Sequence, residues 1–247
     1  MIYKLEFLKW KRSGQLWLLW GLFAFFALTS MVMTYYLKDI MESMDAGNLQ
    51  LVLQKPTWQA LFASYLKNAA QLLLLITTYL VALNCTLGNS EALNLFYKTN
   101  AKSPWRVFLP KISVSLGVLA SALCVGGLCA TYVTWAFFDE LAIDKIIATL
   151  LLQALGYLVF VLFGSVLAIW NGRPFIAAVV VEVIVLVATL FSGVKTFATW
   201  APTSLLQSEQ ALKQGFAWDE SGQAVLFSLF LCAIFLGVLL IRPLKKS

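Results

Sequence analysis

The chain has 247 residues, 61% of them hydrophobic and 12% charged, with a mean hydropathy of +0.83. That apolar content exceeds what a soluble domain of this size can hide, so lipid is the expected solvent for much of it. The net charge of +6 comes from basic residues that sit beside apolar stretches rather than in one run, which argues against nucleic acid as a partner.

A helix rises about 1.5 Å per residue, so a hydrocarbon core of about 30 Å calls for about 20 mostly apolar residues. The sequence supplies this six times, over residues 16–37, 61–87, 107–137, 146–170, 175–194 and 223–241. Lys4, Lys9, Lys11 and Arg12 precede the first stretch, which is longer than the core of a secretory signal and reads as a retained anchor helix. The third stretch exceeds what a bilayer needs, and Pro104, Pro110 and Lys111 place its first turns in the cytosol.

Orientation follows from the gaps. Besides the N-terminal group, basic residues gather at Lys98, Lys102, Arg106 and Lys111, at Arg173, and at Arg242, Lys245 and Lys246. These segments are expected to face the cytoplasm, with both termini inside. The intervening gaps hold Asp39, Glu42, Asp45, Asp139, Glu140, Asp144, Glu209, Asp219 and Glu220. Trp17, Trp20, Tyr35, Tyr36, Trp135, Trp170 and Trp200 fall near the expected span ends, as amphipathic rings do.

Small residues four apart, Gly164 with Ala168 and Gly117 with Ser121, either allow close helix approach or reflect composition alone. Cys85, Cys124, Cys129 and Cys232 lack metal-ligand spacing and read as packing residues. The chain has no histidine, which removes the usual general base and the usual partner of a Ser or Cys nucleophile.

Between the second and third spans, Asn89 or Ser90 can cap a short helix with Glu91 in its first turn. Leu93, Phe96 and Tyr97 share one face, Asn94 lies between them, and Lys98 ends the helix. Such a face suits a groove on another protein, or alternatively the lipid headgroups. Residues 195–222 hold Phe197, Trp200, Pro202, Phe216 and Trp218 among polar residues, and read either as a segment dipping back into the membrane or as a structured surface loop.

Glu182 sits centrally in the fifth stretch, where a carboxylate must face the bundle interior and be neutral or paired. Helical rise puts it on the order of 12 Å from the cytoplasmic edge and Gln71 about 14 Å, making Gln71 its depth-matched partner ahead of Lys67 and Asn68. Glu182 is thus either a structural hydrogen-bonding group or a direct substrate or proton site. No Gly is followed by Lys, so the chain has no phosphate-binding P-loop, and ATP-driven work requires another polypeptide.

Two stretches carry a resemblance to the ABC-2 type permeases, the membrane subunits of bacterial ABC exporters. Pro56-Thr57-Trp58-Gln59-Ala60 followed by residues 65–71 is similar to the start of that family's second span. Asn89-Ser90-Glu91, Ser103-Pro104-Trp105-Arg106 and Lys111 resemble its cytoplasmic loop. The resemblance implies an all-α integral membrane fold of the ABC-2, type V exporter-like kind. It has six transmembrane helices, both termini cytoplasmic, an N-terminal elbow segment over residues 1–15, a coupling-helix loop over 88–104, and a re-entrant extracellular segment over 195–222.

It also implies that Ser90, Glu91, Leu93, Asn94, Phe96, Tyr97 and Lys98 contact a cytoplasmic ATPase subunit, which would carry the ATP and magnesium. A second permease copy or close relative completes the pathway, and a hydrophobic or amphipathic cargo is expected: a peptide, drug or lipid. The competing expectation is an ATP-independent secondary transporter or channel with Glu182 as its ion or proton site.

Overall fold

The computed structural model describes residues 2–43, 56–86, 104–138, 140–191 and 193–241, all in helices and their connections. The helices are α1 (Ile2–Arg12), α2 (Gln15–Ser43), α3 (Trp58–Asn68), a π-helical turn (Ala69–Leu73), α4 (Leu74–Cys85), α5 (Pro104–Phe137), α6 (Ile143–Asn171) and α7 (Pro174–Leu190). Three short helices follow, α8 (Lys195–Trp200), α9 (Thr203–Leu206) and α10 (Glu209–Gln214), and then α11 (Trp218–Ile241). The expected ATPase-contact residues, Ser90 to Lys98, lie outside the described residues.

Five segments are long and apolar enough to cross a bilayer: Gln15–Leu37, Trp58–Cys85, Trp105–Phe137, Ile143–Asn171 and Ser221–Leu239. The chain is a multi-pass helical membrane protein. Of the six apolar stretches, the fifth forms a shorter helix than expected. Gly172 ends α6 in the left-handed conformation at φ 68° and Pro174 opens α7, a sharp stop and start. At the other end the backbone leaves the helix at Phe191 (φ −90°, ψ 1°), so α7 has 17 residues, about 26 Å of rise.

The long helices are apolar on every side, as a lipid-facing helix must be. On α2, Leu16, Leu19, Phe23, Ala27 and Met31 recur every three or four residues as a buried stripe that packs mainly on α5. Trp17, Leu18, Phe25, Leu28 and Met33 on its other flank are exposed. Helix α6 is the hub, contacting α4, α5, α7, α9, α10 and α11.

Glycines set the closest approaches. A Cβ on Gly164 of α6 would collide with the Thr78 methyl of α4 and lie 3.3 Å from Val181 of α7. Ala168, one turn on, is fully buried with Ala82 and Ala177, so this small pair is a packing seam. Gly117 has open space before it, and its neighbour Ser121 instead accepts a 3.0 Å hydrogen bond from the Trp20 indole. The cysteines are free, with Cys85 and Cys232 buried, Cys129 half-buried and Cys124 exposed.

Helix α1 is docked on the bundle rather than free. Trp10 is buried and donates to Ser115 Oγ at 3.3 Å, and Glu6 Oε1 lies 3.6 Å from Lys111 Nζ with both side chains largely buried. Lys111 lies in the early turns of the third span, as expected, and is also a packed member of the α1–α5 contact. Nearby, Asn84 donates to Gln15 Oε1 at 2.6 Å, tying α4 to α2.

Gly164→Ala is expected to lower stability by about 1–3 kcal/mol, the usual range for overpacking a tight core. Thr78→Ala removes the opposing methyl, and combining it with Gly164→Ala should recover most of the loss. A double-mutant cycle of reversible unfolding in micelles measures this, and equal losses in the single and double variants would contradict the seam.

Candidate functional site

The second span is continuous from Trp58 to Cys85 but widens over Ala69–Leu73 into a π-helical turn. Such a turn disturbs the regular ladder of backbone bonds, and π-helical turns are frequent at functional sites. The Ala69 N–H is shared between the carbonyls of Leu66 and Tyr65, and the Leu74 N–H between those of Ala69 and Gln71. Each of these carbonyls has a second lone pair open to further donors.

Helix α6 provides them from two side chains one turn apart. Tyr157 Oη donates to the Ala69 carbonyl at 2.5 Å. Gln153 Nε2 lies 3.3 Å from the Leu66 carbonyl and 3.5 Å from that of Leu206, at the end of α9. One amide thus joins three elements. Gly156, between the two donors, makes room for this: a Cβ there would sit 2.9 Å from the Leu206 side chain and 3.3 Å from its backbone nitrogen.

Around this node lie buried polar atoms without hydrogen-bond partners: Tyr65 Oη, Thr77 Oγ1, Thr78 Oγ1, Gln153 Oε1 and Glu182 Oε2. The Tyr65 hydroxyl rests against the backbone of α5, 2.5 Å from where a Cβ on Gly126 would be. Glu182 projects from the flank of α7, half-buried, and is close enough to Tyr157 to act on it electrostatically. An unpartnered carboxyl oxygen in an apolar wall can accept a hydrogen bond from a substrate or exchange a proton. Among the described residues, no three His, Cys, Asp or Glu side chains come together as a potential metal site.

The residues singled out from the sequence are divided among different contacts. Glu182 and Gln71 do not hydrogen-bond to each other; Gln71 is on the π-helical turn and half-buried. Asn68 turns to α2 instead, donating to Ser30 Oγ at 2.8 Å. With Ser30, Thr34 and Ser64 it lines a cavity of about 290 Å³ between α2 and α3. Lys67 is exposed on α3. Gln153 and Tyr157 were missed by the sequence reading, although two hydrogen-bonding side chains at i and i+4 within an otherwise apolar span are a recognisable signal.

No protein-family model, curated protein or solved structure matches this chain.

Tyr157→Phe keeps the ring and removes the donor. The expected loss is about 0.6–1.7 kcal/mol, the range measured for interhelical hydrogen bonds in a membrane protein, read by reversible unfolding in bicelles. A variant as stable as the wild type would show that the Ala69 carbonyl needs no second donor.

Proposed function

We propose that this chain is the permease subunit of an ATP-driven ABC exporter, moving a hydrophobic or amphipathic cargo out of the cell. In this reading it spans the cell membrane six times with both termini in the cytoplasm. It pairs with a second copy or a close relative, and ATP and magnesium are held on separate cytoplasmic ATPase subunits. The chain itself carries no hydrolytic step.

The observation that carries the reading is the returning segment before the last long helix. Helices α8, α9 and α10 fold back so that Leu206 packs on Gly156 of α6, about 20 Å along that helix from Ile143. This supports a segment re-entering from the outer face, with its backbone met by Gln153 and by Lys145, whose Nζ donates to the Lys213 carbonyl at 2.6 Å. The docked α1 ahead of the first span supports the elbow assignment. At 17 residues α7 is at the lower limit for a span, which suits the fifth crossing if it stands nearly upright.

The partner contact is assigned to residues 90–98 on the sequence resemblance alone. Changing Phe96 and Tyr97 together to Ala should leave insertion intact and lower cargo export at least about ten-fold, the equivalent of losing about 1.4 kcal/mol of anchoring. Export from cells expressing the chain with its ATPase measures this; undiminished export would remove the docking role.

A second reading, an ATP-independent transporter using Glu182, is favoured by its Oε2, the one buried carboxyl oxygen without a hydrogen-bond partner among the described residues. The two separate in proteoliposomes holding this chain alone. The exporter reading expects no cargo movement without the ATPase and ATP, and retained ATP-driven export in Glu182→Gln. The rival expects transport driven by an ion gradient and abolished in that variant.

A further inference from the structure

Two cavities adjoin beneath and within the returning segment, and Glu182 lines neither. The first, about 690 Å³, lies between α6, α7 and α11 under the returning segment, walled by Phe160, Phe163, Phe197, Trp200, Phe227 and Phe235 among others. The second, about 550 Å³, lies among α8, α9, α10 and the start of α11. Phe197 and Thr203 line both.

Their chemistries are opposite. Apart from Thr203 and the Trp200 indole N–H the described lining of the first cavity is apolar, drawn from two candidate membrane spans, α7 and the returning segment. The second carries Glu209 and Asp219, both exposed, and among the described residues no basic side chain lines it. Its hydroxyls at Ser204 and Ser208 donate to the carbonyls of Ala201 and Leu205, leaving their oxygens to act as acceptors. The polar cavity is therefore negative and rich in acceptors.

We propose that the paired cavities bind one amphiphile, its hydrocarbon chain in the aromatic cavity and a cationic ammonium head against Glu209 and Asp219. Both cavities lie within the size range of small-molecule sites. An acyl chain moving from lipid into an apolar cavity gains little, because lipid tails are as apolar as the wall. Selectivity consequently resides in the head, where an ammonium supplies the positive charge that complements Glu209 and Asp219. The inference is independent of the exporter reading, since it concerns binding to this chain without an ATPase.

The test uses the full chain in lipid nanodiscs, with empty discs as the partition background and tetradecylamine and tetradecanoate as probes of equal chain length and opposite charge. Saturable binding above background is expected for the amine, at least about ten-fold tighter than for the acid, a factor worth about 1.4 kcal/mol. The surface double variant Glu209→Gln with Asp219→Asn should erase that preference. Ala188→Phe, which fills the apolar cavity, should weaken the amine at least about ten-fold, again the equivalent of about 1.4 kcal/mol. No saturable excess over empty discs overturns the proposal, as does an unchanged amine preference in the neutralised variant, an equal loss for both probes there, or unaltered binding in a correctly inserted Ala188→Phe.

Discussion

A backbone carbonyl has two lone pairs, and at the π-helical turn of the second span two carbonyls take a side-chain donor besides their backbone one. The donors are two side chains of α6, Tyr157 on the Ala69 carbonyl and Gln153 on that of Leu66. Because Gln153 also reaches Leu206, the register of α6 against the π-helical turn fixes where the returning segment comes to rest. Moving α6 by one residue along its axis, about 1.5 Å, would break all three contacts together.

These bonds give position more than strength. Interhelical hydrogen bonds in membranes average about 0.6 kcal/mol, and lipid removes the hydrophobic drive between helices, so close packing must hold the bundle. Three glycines supply it. Gly126 admits the Tyr65 hydroxyl and the Phe23 ring, Gly156 admits Leu206, and Gly164 admits Thr78 and Val181. Gly156 lies between the two donors of the node, whereas Gly164 is eight residues further along α6, about 12 Å away, so tight packing extends beyond the layer of the turn.

The apolar stretches were legible because span length is a composition signal that needs no partner. The fifth fell short because Gly172, Pro174 and the turn at Phe191 cut it at both ends, and composition does not register backbone conformation. Glu182 was legible as a group facing inward, but its partner was not. Depth follows from helical rise, whereas which flank a residue presents depends on neighbours, and Asn68 and Gln71 proved to serve different contacts. The π-helical turn has no sequence signature in Ala69-Ala70-Gln71-Leu72-Leu73, so the donors that answer it lacked a visible purpose. The place of Lys111 at the start of the third span was legible, but its partner was not, because Glu6 lies more than 100 residues away in α1.

That buried pair belongs to a second polar layer, at the end of the bundle where α4 ends and α5 begins. Asn84 with Gln15, Trp10 with Ser115 and Glu6 with Lys111 link α1, α2, α4 and α5 there. A buried ion pair is a weak source of net stability but fails severely when one partner is lost, which suits a contact that fixes register. Residues 87–103, outside the described residues, join α4 to α5 in the sequence at this end of the bundle. These bonds therefore tie both ends of that connection to α1 and α2, and the π-helical turn lies further along the same second span.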